Sequence, residues 1–148
     1  MTPTLHLYNA LWEFLFKRKS SDEQMNSILL VFLGGGIGAV ARYGLQGAVY
    51  RTLGGGFPYG TIVVNFLGCF FIGLLMIGME ERFLVNPSIR IFLTIGVLGG
   101  FTTFSSFSYE TVALLREGQL LFGIVNVLAS IVTCLLATYI GVVIAKLF

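Results

Sequence analysis

Five polar or thiol side chains recur at helical spacing in an otherwise apolar run: Asn126, Ser130, Thr133, Cys134 and Thr138. Offsets of i, i+4, i+7, i+8 and i+12 set them on one stripe of a helix, about 18 Å long. A second apolar run holds one amide, Asn65, with Thr61 a turn before it and Gly68 about a turn after, on a shared face. A third run contains GGFTTFSSF at residues 99–107, in which glycines and hydroxyls interrupt phenylalanines spaced by three. Amides and hydroxyls donate hydrogen bonds to anions. Phenylalanine ring edges do so weakly, because the aromatic quadrupole leaves positive charge there. A path lined by Asn65, the stripe and the edges of Phe104 and Phe107 suits a small, strongly hydrated anion. Such a lining replaces hydration without fixed cations that would trap the ion.

Each residue also has a plainer reading. An unpartnered amide in hydrocarbon costs roughly 1–3 kcal/mol, so Asn65 must face protein or water; an interhelical hydrogen bond would serve as well as a pore. Arg42 lies about 22 Å into its segment. It can snorkel to the far interface, as Tyr43 and Arg51 nearby suit, or face a water-filled vestibule that attracts anions. Cys69 and Cys134 sit mid-segment without metal-site spacing and read as small packing residues. The interior otherwise reads as free of carboxylate, lysine and histidine, with Glu110 closing the third run. That argues against a titrating proton relay and against a site for organic cations. No nucleophile–base pair or phosphate loop is present, so an enzyme is not expected.

The elements that must position these residues are membrane helices. Of 148 residues, 56% are hydrophobic and only 11% charged, with a mean hydropathy of +0.90. Four uncharged runs are each long enough to cross a bilayer core of about 30 Å. They predict an all-α membrane protein with helices near 27–51, 57–80, 89–116 and 119–146, the third broken near its middle at Gly99-Gly100. Residues 27–148 form the transmembrane domain. Residues 1–26 form a separate amphipathic, basic tail: LYNALWEFLF followed by Lys17-Arg18-Lys19 predicts a helix lying in the headgroup region. His6 in that tail is given no role. A net charge of +2 implies no nucleic-acid partner. Four helices are too few to enclose a polar path alone, which predicts an oligomer.

Three stretches resemble the fluoride channels of the Fluc (CrcB) family: GGGIGAVARYGL, GTIVVNFLGCFFIG and GVLGGFTTFSSFSYE. The resemblance implies a passive fluoride channel in the cell membrane that exports cytoplasmic fluoride and confers resistance. It implies a homodimer of opposed, dual topology, with two fluoride paths along the subunit interface. It also implies a central structural sodium ion held by backbone carbonyls of Gly99 and Thr102. The fluoride-lining rings fall on Phe104 and Phe107 and the pore amide on Asn65. Polar tracks fall on Thr61, Ser105, Ser106, Asn126, Ser130 and Cys134. The chief rival, a small exporter of organic cations, needs a carboxylate within the first helix, and none is there. A packing subunit would need no continuous polar stripe. One feature pulls against opposed topology. Lys17, Arg18, Lys19, Arg82, Arg90 and Lys146 fall on the N-terminal side, against Arg51 and Arg116 opposite, with Arg42 a third if it snorkels there. Excess basic residues favour a cytoplasmic side, so opposed insertion requires the tail cluster to be orientation-neutral.

Overall fold

The computed structural model describes residues 20–81 and 86–147. Helix α1 spans Ser21–Leu53 and α2 spans Tyr59–Glu81. The third span begins as α3, Pro87–Ile91, continues as a π-helical stretch, Phe92–Leu98, then α4, Gly99–Phe101, and α5, Phe104–Arg116. Helix α6 spans Leu120–Leu147. Four helical stretches, Ser21–Leu53, Tyr59–Met79, Pro87–Arg116 and Leu120–Leu147, are long and apolar enough to cross a membrane. Tail residues 1–19, with the expected headgroup helix, lie outside the described residues.

The first helix starts earlier than its hydrophobic run. Ser20 accepts a hydrogen bond from the Glu23 N–H at 3.4 Å, and Glu23 Oε2 accepts one from the Ser20 N–H at 3.3 Å. This capping box satisfies two otherwise orphaned donors, so residues 21–26 are helix rather than tail. Asn86 caps the third span in a similar way, accepting from the Ser88 N–H, with Pro87 as its first helical residue. The connections turn at Gly54 (φ 80°) and Gly118 (φ 75°), backbone conformations that side chains with a Cβ rarely adopt.

Two pairs of parallel helices form the body. In the first, α1 lies against the front half of the third span at backbone-to-backbone distance. A Cβ on Gly34 would stand 2.7 Å from the Phe92 carbonyl oxygen and 2.9 Å from Gly96 Cα; one on Gly38 would stand 2.8 Å from the Phe101 nitrogen. The small residues four apart in GGGIG thus admit the partner helix, as their spacing predicts. In the second pair, α2 lies against α6, with Gly73 on the Thr138 backbone and Gly141 on the Phe70 and Leu74 backbone. Continued back one turn along both helices from Gly73 and Thr138, that register sets Cys69 and Cys134 at the same level.

The break in the third span falls at Thr102-Thr103, not at the glycines. Gly99 is helical (φ −63°, ψ −37°), whereas Thr102 (ψ 157°) and Thr103 (ψ 109°) are extended. Gly100 serves a different purpose: a Cβ there would stand 2.9 Å from Gly35 Cα, so it keeps α1 close. Gly68 on α2 leaves room for the Thr102 methyl. Contacts from neighbouring helices therefore locate the break, overriding the glycines' local preference.

Candidate functional site

At the break the backbone is re-paired by one side chain. Asn65 Nδ2 donates to the Thr103 carbonyl at 3.0 Å, and Asn65 Oδ1 accepts from the Thr103 N–H at 2.8 Å. Thr103 Oγ1 caps α5 by accepting from the Ser106 N–H at 3.2 Å. In an unbroken helix, Thr103 N–H would pair with the Gly99 carbonyl and Ser106 N–H with the Thr102 carbonyl. Both donors are diverted, so the Gly99 and Thr102 carbonyls lose their helical partners. Both residues face the same cavity.

That cavity has a volume of about 470 Å³. Asn65, Phe104, Phe107, Ser130 and Cys134 line it together with Gly99 and Thr102. Asn65 uses one of its two N–H bonds on Thr103 and keeps a second. The Phe104 and Phe107 rings pair at 5.2 Å between centroids with planes tilted by 48°. Phe104 is 78% exposed, so its ring projects from the chain rather than filling its core. Phe101 instead packs inward toward Gly68. Lining residues that the periodicity did not single out include Cys69, Ile72 and Leu98.

The remaining expected residues group elsewhere. Ser105 and Ser106 hydroxyls lie 3.2 and 3.0 Å from Thr103 Oγ1, forming a hydroxyl cluster at the head of α5. Asn126 is buried and donates to Thr111 Oγ1 at 2.8 Å, with Ser130 a turn along. Thr133 and Thr138 bond back to their own helix, at the Ala129 and Cys134 carbonyls. Arg42 is half-buried on α1, one turn before Gln46.

Thr61 leads to the main correction. Its hydroxyl, in a residue only 1% exposed, donates to Glu110 Oε1 at 2.8 Å and accepts from Gln46 Nε2 at 3.1 Å. The Tyr50 hydroxyl also donates to Glu110 Oε1, at 3.2 Å, its ring held over Gly60. Glu110 Oε2 is buried without a hydrogen-bond partner among the described residues. The interior therefore does contain a carboxylate. Its position at the end of an uncharged run concealed it. The signal that could have found it was its helical spacing from Phe107, three residues before on the same face.

Comparison with known proteins follows the same helices. The family described as CrcB-like protein, Camphor Resistance (CrcB) matches residues 29–142. The chain belongs to the CrcB family. A protein called "Fluoride-specific ion channel FluC" from Geotalea uraniireducens is 50% identical over 122 residues, which cover 82% of this chain and 98% of that relative. Proteins of the same name from Citrifermentans bemidjiense and Magnetococcus marinus are 48% identical over 122 residues and 47% over 120 residues. The matched stretches cover 82% and 81% of this chain, respectively, and 98% of each relative. As a CrcB member with four apolar spans, the chain is a multi-pass channel protein of the cell membrane and not an enzyme.

Proposed function

We propose that the chain is a fluoride-selective passive channel that exports cytoplasmic fluoride and confers resistance to it. The observation carrying this reading is the joining of Asn65 to the break, which brings an amide donor and the Phe104–Phe107 pair to one cavity. Relatives named as fluoride-specific channels support the choice of ion. Efflux from proteoliposomes loaded with fluoride or chloride tests it. Fluoride should leave and chloride stay; equal fluxes, or none, would overturn the reading.

The working unit is a homodimer of opposed orientation in the lipid bilayer, with two fluoride paths along the subunit interface. Strong exposure of Phe104 supports this, since a ring of an anion path needs a second wall. Asn65, Phe104, Phe107, Ser130 and Cys134 act at the cavity, with Ser105 and Ser106 beside it. Thr61 and Asn126 extend the polar tracks, and Arg42 draws anions into the vestibule. A central sodium ion is held by the Gly99 and Thr102 carbonyls. The fit is chemical: these carbonyls are released from helical pairing, and two chains offer four neutral oxygens, a donor set suited to a hard cation. Labelling of single-cysteine tail variants in whole cells, lacking Cys69 and Cys134, tests the orientation. Tails should be reached equally from both sides; exclusively cytoplasmic tails would rule out the opposed dimer.

Phe104→Ile and Phe107→Ile should each slow fluoride flux more than Phe101→Ile does. The first two keep apolar volume but lose the polarised ring edge at the cavity. Phe101 lies outside the lining. Equal effects in a flux assay would reduce all three rings to packing.

A further inference from the structure

Cys69 and Cys134 look unremarkable on their separate helices, yet each lies one turn before the Gly73–Thr138 backbone contact of α2 with α6, which sets both at the same level on the wall of one cavity. Both are half-buried, both are reduced, and both line the cavity that holds Asn65 and Ser130 one turn earlier on the same helices. The pair faces open space rather than packed side chains, so a ligand can reach it. Among the described residues no three His, Cys, Asp or Glu side chains cluster as a metal site. Zinc, which takes four protein ligands in structural sites, is thereby disfavoured. Two thiolates alone suit a soft cation content with two ligands. Charge narrows the choice further. Two thiolates and a divalent cation make a neutral complex, the only net charge that a site at membrane depth holds without a counter-ion.

We infer that Cys69 and Cys134 form a two-thiol site for a soft divalent cation of the mercury(II) type, and that its occupation closes the cavity. With mercuric chloride the reaction is balanced without oxidation. Two S–H bonds and two Hg–Cl bonds break, two S–Hg bonds form, and two protons and two chloride ions leave. The metal then bridges α2 and α6 beside Asn65 and Ser130. Closure rests on the fluoride-channel reading; binding does not.

Titration of the reduced, purified protein with mercuric chloride tests the site, followed by the near-ultraviolet sulfur-to-mercury absorbance and by thiols counted after denaturation. One mercury per chain should consume both thiols. It should resist excess monothiol and yield to a dithiol chelator. Cys69→Ala and Cys134→Ala should each hold mercury about 100-fold less tightly against the monothiol, as expected when a second tethered ligand is lost. Two mercury ions per chain, or single variants as resistant as the parent, would overturn the site. In fluoride-loaded proteoliposomes, mercuric chloride should block the parent's flux and monothiol should not restore it. Each single variant, scored against its own untreated flux, should recover. Undiminished flux with metal bound would overturn closure. No flux even before treatment would instead defeat the channel reading, leaving the titration to decide the site.

Discussion

Asn65→Asp should cut fluoride flux by roughly 100-fold at neutral pH, equivalent to about 3 kcal/mol in the barrier. The side chain has two duties and the substitution damages both. A carboxylate oxygen can still accept from the Thr103 N–H, but the oxygen replacing Nδ2 would face the Thr103 carbonyl, acceptor against acceptor. The N–H left over for the cavity disappears as well. The latch therefore weakens along with the pathway, and stability should fall by about 1–3 kcal/mol. Acid supplies an internal check. Protonating the new carboxyl restores an O–H donor toward Thr103, so the lost stability should return as pH falls and vanish again as pH rises through the carboxyl's titration. Thermal unfolding in detergent, in acid and at neutral pH, reads the latch, and proteoliposome efflux reads the path. Parent-like behaviour in both assays would remove Asn65 from the mechanism.

Glu110→Ala should be the most destabilising single change in the polar cluster of α1, α2 and α5. It strands the Thr61 hydroxyl, in a nearly inaccessible residue, and the Tyr50 hydroxyl, both of which donate to Glu110 Oε1. An unsatisfied buried donor such as Thr61 costs about 1–3 kcal/mol and the half-buried Tyr50 hydroxyl less, so a loss of about 2–4 kcal/mol is expected. Glu110→Gln retains an acceptor oxygen and should recover most of it. Calorimetry of the three proteins decides the matter. If Ala and Gln behave alike, the carboxylate is not holding the cluster together.

These two residues also mark where a linear reading succeeds and where it stops. Hydrophobic run length is a property of consecutive residues, and it predicts the four spans well. The start of α1 escaped it because Asp22, Glu23 and Gln24 precede the apolar run, and only the Ser20–Glu23 cap tells that they are helical. The GGFTTFSSF stretch announces a broken span, but local propensity points to the glycines. The break instead sits where Asn65 can bind it, thirty-eight positions earlier in the chain. For Asn65 itself, interhelical bond and cavity lining were alternatives on paper; in the structure one amide does the first and faces the second. Glu110 with Gln46 and Tyr50, and Cys69 with Cys134, are cross-helix groupings. No single helix's periodicity contains them, because they depend on the register between helices.

That register has a consequence for how such a chain can change length. Helices α2 and α6 touch at Gly73 and Thr138 while Asn65, two turns away on α2, grips the break. One residue inserted between Asn65 and Gly73 would turn one end about 100° relative to the other. Either the grip or the glycine contact would then face the wrong way. The same holds on α1 between Gly34 and Gly38. Among the described residues, length variation is thus directed to the connections, such as those around Gly54 and Gly118, and within the spans the chain can change residue by residue but not gain or lose one.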